Sequence, residues 1–124
     1  MNSKVKTFNL TEILFAAGKE QLQRAMNECI KKNGGPLNVG SAATTKSFDL
    51  ETCKYIIHAA TPVSTNNPTE DLKKIKETVR SVMDEAKRYD CKSVAMCAIG
   101  CGTFKNNLKD ALEAIYSEMV EALR

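Results

Sequence analysis

The sequence predicts an α/β domain built on a mixed sheet. Three observations carry this. Extended and helical segments alternate in the order βα-ββ-αβα, which is the pattern of a layered α/β domain. Glycine, proline and asparagine clusters fall between the segments rather than inside them. The second and third extended segments are joined by too few residues for a parallel crossover, so they should pair antiparallel within a sheet whose other connections are right-handed crossovers. A chain of 124 residues has room for one core and not two. Its 43% hydrophobic and 27% charged residues are globular usage and argue against disorder.

Residues 4–9 read as a short strand with Val5 and Phe8 on opposite faces. Thr11 is a candidate helix cap, and Ile13, Leu14, Ala17, Leu22, Ala25, Met26, Cys29 and Ile30 recur near helical spacing. Gly18 lies inside that stretch and is expected to divide it. Asn33-Gly34-Gly35-Pro36 is a stop signal. Residues 37–45 form the second extended segment and 54–60 the third, the latter apolar enough to be covered on both faces. After the turn residues 61–69, with Thr69 as the expected cap, Leu72, Ile75, Val79, Val82, Met83 and Ala86 mark an amphipathic helix. Residues 93–98 are the fourth expected strand. Leu108, Ala111, Leu112, Ile115, Met119 and Leu123 are the expected inner stripe of the last helix. Ligands of such sheets bind beyond the carboxyl ends of the parallel strands. That directs attention to Asn9 and Leu10, to Thr61–Ser64, and to Ile99–Phe104.

Several function classes are disfavoured. Eighteen basic and fifteen acidic side chains give a net charge of +3, and the basic residues are interspersed with acids on helices, the pattern of solvated faces. With no Trp and few aromatics there is little to build a base-stacking platform, so nucleic acid is not the expected partner. No apolar run reaches the roughly 20 residues of a membrane span. The first residues lack the apolar stretch of a signal peptide, so the expected setting is intracellular, cytoplasmic or nuclear. Five cysteines without a C-x-x-C pair, beside a lone His58, argue against a disulfide framework or a zinc site. The cysteines are expected to be reduced and to act as small core residues, with Cys101, between two glycines in a loop, as the exception. No cofactor is implied.

Two stretches resemble the macro domain, the ADP-ribose recognition fold. The first runs through Ala16-Ala17-Gly18-Lys19-Glu20, Lys32-Asn33-Gly34-Gly35-Pro36-Leu37, Gly40-Ser41-Ala42-Ala43-Thr44-Thr45 and Cys53-Lys54-Tyr55-Ile56-Ile57-His58-Ala59-Ala60-Thr61-Pro62. It is most similar to the macro domain of the macro histones. The second, Ser93-Val94-Ala95-Met96-Cys97-Ala98-Ile99-Gly100-Cys101-Gly102, resembles the family's sixth strand and phosphate loop. Its Ile-Gly-Cys-Gly form is similar to the terminal ADP-ribose glycohydrolase branch. The resemblance implies one minimal macro-like domain over 1–124: three α/β/α layers around a mixed, mostly parallel sheet of about four strands. Complete members of the family carry two further strands at the start and one at the end. With residues 4–9 standing for the family's third strand, the expected strand order is fourth, first, third, second. The edge beside Val94–Ala98 would then lack a neighbour, and a second copy of the chain is the expected way of covering it.

The resemblance assigns a site. Gly100, Cys101, Gly102 and Thr103 lie between a strand and a helix. Glycines there let backbone N–H groups approach phosphate oxygens beside a helix N-terminus. By resemblance this loop would hold the diphosphate of ADP-ribose; a tight turn without ligand is the alternative. Phe104 matches the aromatic near the distal ribose, or else is a core residue at the helix entry. Thr61, Pro62 and Val63 match the strand end that shapes the ribose and adenine side. Asn9 falls where the family places an asparagine near the distal ribose, with helix capping or a turn as its alternative. His58 matches a family histidine that is not catalytic.

Hydrolysis is less supported than binding. The glycine-rich first loop of the hydrolytic branch is missing between Asn9 and Thr11. Where the glycohydrolase branch has an aspartate two residues after the second loop glycine, this chain has Phe104, which supplies neither nucleophile nor base. Three readings follow. The first is a module binding ADP-ribose, a related nucleotide diphosphate or an ADP-ribosylated protein, without hydrolase activity or catalytic residues. The second is a macro domain that binds no nucleotide and serves interaction or assembly. The third is an ADP-ribosyl hydrolase.

Overall fold

The computed structural model describes residues 17–60, 65, 67–96 and 108–124. They form helix α1 (Lys19–Lys32), strands β1 (Ala42–Lys46) and β2 (Tyr55–Ala59), and helices α2 (Pro68–Arg88) and α3 (Leu108–Ala122). The chain divides into two compact units, Met1–Gly35 with Thr45–Ile56, and Pro36–Thr44 with Ile57–Arg124.

In the first unit the break expected at Gly18 is where α1 begins. Gly18 caps the helix at φ 83°, a left-handed conformation that glycine adopts without steric cost. A side chain there would also meet Asp49, whose Oδ2 lies 2.7 Å from the position of a Cβ. Glu20 in the first turn and Lys31 and Lys32 in the last complement the helix dipole. The Asn33-Gly34-Gly35 stop works as read: the Asn33 amide donates to the Cys29 carbonyl at 3.1 Å and the Gly35 amide to Ile30 at 3.0 Å. In the turn after β1, Phe48 takes φ 49°, a costly conformation for a bulky residue. Its neighbours hold it there, the Asp49 amide donating to Ala17 at 3.2 Å and the Ser47 amide to Lys54 at 3.1 Å.

β1 and β2 form a two-stranded sheet. The Ser47 amide meets the Lys54 carbonyl at one end and the Ala60 amide meets Ser41 at the other, so the pair is antiparallel as the short connection requires. Every residue of β2 is half-buried, on both faces. The strands expected at 4–9 and 93–98 are not added to this sheet among the described residues. Residues 4–9 lie outside them. Of the 93–98 segment, 93–96 are described and carry no strand pairing; their expected ladder partner is residues 4–9.

In the second unit α2 starts one cap earlier than expected. Asn67, not Thr69, is the N-cap, and its side chain accepts from the amides of Thr69 at 3.1 Å and Glu70 at 3.3 Å. The reason is Pro68. Proline suits the first helical position and keeps the residue before it extended, here φ −115° and ψ 100°, which is cap geometry. The apolar stripe of α2 packs on α3: Ile75, Val79 and Met83 form one core with Ala111, Ile115 and Ala122, flanked by Leu72, Met96 and Met119. Thr78 is fully buried on the same stripe and satisfies its hydroxyl on the Lys74 carbonyl at 2.8 Å.

The inner face of α3 differs from the expected stripe. Ala111 and Ile115 are buried, but Leu112 and Leu123 are 45% and 75% exposed. Ala114 and Ala122 take their place. Each helical residue turns about 100°, so the buried face lies roughly one residue around from the stripe read by counting large side chains. Small alanines mark it, which hydrophobic periodicity weighs too lightly.

Candidate functional site

Every candidate ligand residue, Asn9, Thr61, Pro62, Val63, Gly100, Cys101, Gly102, Thr103 and Phe104, lies outside the described residues. What the structure describes is the frame on either side of two of these segments, all of it within the second unit.

The frame of 61–64 is tied at both ends. Before it, Ala60 uses both backbone groups: its amide donates to the Ser41 carbonyl and its carbonyl accepts from the Gly40 amide, each at 2.9 Å. Gly40 is itself fixed. It sits at φ 89°, its Cβ position is 3.2 Å from Glu77 Oε2, and its carbonyl accepts from the Ser81 hydroxyl of α2. Thr44 Oγ1 donates to Glu85 Oε1, also on α2, at 3.0 Å. After the segment, Thr65 is bound by Asp71 in the first turn of α2. The Thr65 amide reaches Oδ1 at 3.0 Å and Oδ2 at 3.2 Å, and its hydroxyl reaches Oδ1 at 2.7 Å. Asp71 is only 3% exposed. Charge-assisted bonds of this kind are the strong ones, and burial raises what it costs to remove them.

The frame of 97–107 is held differently. Met96, just before it, packs on the core that contains Ala111 in the first turns of α3. Met96 and Ala111, on either side of this stretch, therefore belong to one apolar cluster. Arg80 of α2 adds an exposed ion pair to Glu118 of α3 at 3.4 Å, which by itself contributes little.

Asp71 was not singled out by sequence reasoning, yet a signal existed. Positions 71, 75, 78, 79 and 82 share one helical face, so a carboxylate stands on the buried stripe. The habit of reading acids in a first turn as dipole partners hides it.

Other expectations divide. His58 sits half-buried in β2, and burial holds its imidazole below the ordinary value of 6.5. Folding therefore favours neutral His58, while the unfolded chain takes up a proton near 6.5. The resulting stability is full above that pH and is lost as pH falls through the lower folded value. Urea unfolding at pH 7.5 and pH 5 should show a larger fall in midpoint for the wild type than for His58→Gln; equal falls would remove His58 as the source. The expectation of core cysteines is corrected for the three described ones: Cys29 and Cys91 are half-buried and Cys53 is exposed, while Cys97 lies outside the described residues. Cys29 lies on the Leu22 face of α1 but is only half-buried, and Cys53 and Cys91 each follow a turn. Among the described residues no cluster of His, Cys, Asp and Glu could hold a metal ion, and no helix is long and apolar enough to cross a membrane. A shallow hollow of about 330 Å³ lies between α1 and the turn, lined by Gln21, Arg24, Ala25, Glu28 and Phe48, within the first unit.

Comparison with known proteins places this frame. The family model described as "Macro domain" matches residues 9–115, and the chain belongs to that family. Its fold is the α/β macro-domain fold. Two solved structures of the Oceanobacillus iheyensis macrodomain, a mutant with ADPR and the protein with ADP, superpose with TM-scores of 0.75 and 0.76. Both are 20% identical, and the match covers 94% of this chain and 63% and 62% of theirs. A curated relative from Treponema medium, named "Protein-ADP-ribose hydrolase", is 28% identical over 94 residues, which is 75% of this chain and 36% of the relative. The chain thus spans about a third of the length of the curated relative it matches.

Proposed function

We propose that this chain is a module that binds ADP-ribose, free or on an ADP-ribosylated protein, without hydrolysing it. The observation that carries the reading is the extent of the family match: residues 9–115 take in Asn9, Thr61–Val63 and Gly100–Phe104 together. In this reading Gly100, Cys101, Gly102 and Thr103 hold the diphosphate with backbone amides. Phe104 and Asn9 lie at the distal ribose, and Thr61, Pro62 and Val63 shape the ribose and adenine side. Residues 1–124 act as one domain. The first half follows the macro-histone pattern, and the loop follows the terminal glycohydrolase pattern. The protein works inside the cell.

Two sequence features favour binding over hydrolysis: Phe104 replaces the aspartate of the glycohydrolase branch, and no glycine-rich loop follows Asn9. The name of the Treponema relative supports hydrolysis as the second reading. Incubation with a mono-ADP-ribosylated protein separates the two. Retention of the modified protein with no release of ADP-ribose is expected. Release would favour the hydrolase, and an Asn9→Ala variant with unchanged release would exclude Asn9 as its catalyst.

The segment around Val94–Ala98 is proposed as an edge at which two copies associate. Sedimentation at high concentration should give a dimer, and a monomer would contradict it.

A further inference from the structure

We infer that the outer stripe of α3 is a self-association surface, on which a second copy of the chain lays its own α3 antiparallel. Six large hydrophobic residues are exposed among the described residues, and three of them, Leu112, Tyr116 and Leu123, lie on this one helix and just past its end. Tyr116 is 70% exposed and Leu123 75%. Their placement is regular. Lys109, Leu112, Tyr116, Met119 and Leu123 follow one another at alternating steps of three and four, the spacing of a seam between paired helices. At about 100° per residue, this seam runs beside the stripe of Ala111, Ile115 and Ala122 that packs on α2. Met119 borders both and is partly buried against that core. A groove of about 440 Å³ opens on the seam, lined by Lys109, Leu112, Glu113 and Tyr116. Contiguous exposed apolar surface with a polar rim marks an interaction site.

Charge and register select a second α3 as the occupant and fix its direction. α1 and α2 carry acids in the first turn and basic residues in the last, as the helix dipole favours. α3 carries Asp110 in its first turn but no basic residue in its last, and Arg124 just beyond it is drawn to Glu121 at 3.9 Å. Antiparallel pairing centred on Tyr116 brings Lys109 of each copy level with the partner's Leu123, beside the negative end of the partner's helix. Leu112 then faces the partner's Val120, and the two Tyr116 rings meet at the two-fold axis, where they can stack offset. Parallel pairing would instead set Lys109 against Lys109 and Glu113 beside Glu113, like charges in both layers. Size limits the strength. The exposed parts of Leu112, Tyr116 and Leu123 come to roughly 350 Å² per copy, with about 150–250 Å² for a whole aromatic side chain. The pair therefore buries about 700 Å² in these side chains, which is the range of a transient complex and not of an obligate dimer. The surface is separate from the edge around Val94–Ala98 and does not depend on ligand binding.

The test is sedimentation of the full chain over a concentration series up to about 1 mM, with charge placed on or off the seam. The wild type should pass from monomer toward dimer across the series. Tyr116→Lys and Leu123→Lys should each weaken association roughly tenfold or more. Ser117→Lys, on the exposed polar side of the same helix, should change it less than about twofold. All three positions are exposed, so circular dichroism should show the fold unchanged in each. A wild type that stays monomeric at about 1 mM would overturn the inference. So would association that Tyr116→Lys and Leu123→Lys leave unchanged, which would assign the pairing to another surface, or an equal loss in Ser117→Lys, which would make it an effect of added charge alone. Mild oxidation reads the direction. In Tyr116→Cys the two introduced thiols meet at the axis and should join in a disulfide, identified by the mass of the linked peptide. In Leu112→Cys they lie about 12 Å apart along the helices, beyond the reach of a disulfide, and should not join. A link between the two introduced thiols of Leu112→Cys, or none in Tyr116→Cys, would overturn the antiparallel arrangement.

Discussion

Gly102→Glu abolishes ADP-ribose binding while leaving the fold intact. The substitution sets a carboxylate in the loop proposed to hold two phosphates. Like charges brought together at a binding surface cost several kcal/mol, and each 1.4 kcal/mol is about tenfold in affinity. A loss of roughly a hundredfold or more follows, enough to silence a titration of a micromolar ligand. The side chain also fills space that a backbone amide needs to approach an oxygen. Calorimetry reads the loss, and circular dichroism with thermal unfolding reads the fold. A variant that binds as the wild type does would move the diphosphate away from Gly100–Thr103.

Ile75→Ala lowers stability by about 2–5 kcal/mol, the range for deleting a fully buried aliphatic side chain and leaving a cavity. Ile75 has no exposed surface and lies where α2 meets α3. Its neighbours Val79, Ala111 and Ile115 come from two helices, so the hole cannot close by a shift of one side chain. For a domain of this size the melting temperature should fall by roughly 10 °C or more. The same substitution at Leu112, 45% exposed on the outer face of α3, should change stability by about 0.5 kcal/mol or less. Chemical denaturation of both variants checks the contrast. Equal losses would mean that α3 presents a different face to α2.

The sequence was informative where one local cause decides the outcome. Gly18 ends or begins a helix because of its conformational freedom, and the Asn33-Gly34-Gly35 stop needs only backbone bonds. The α2 stripe is legible because its large apolar residues all point one way. Legibility failed where two causes compete. Thr69 and Asn67 are both good caps, and Pro68 decides between them through its effect on the residue before it. In α3 large residues lie on both faces, so the count of leucines pointed away from the alanines that pack. The hold of Asp71 on Thr65 is a tertiary bond across a turn, visible in sequence only as an acid on a buried stripe. Of the candidate site, the frame at Ala60, Thr65, Met96 and α3 is described. The ligand residues themselves were read from the resemblance to the macro domain, and the family match covers them.

Titration of the wild-type chain with ADP-ribose, with AMP as the comparison, tests the central claim most directly. AMP lacks the diphosphate and the distal ribose, so it forfeits the contacts assigned to Gly100–Phe104. The account predicts a saturable single-site heat with ADP-ribose and binding to AMP weaker by at least about tenfold. A silent ADP-ribose titration of the folded protein, or equal affinity for AMP, would contradict it.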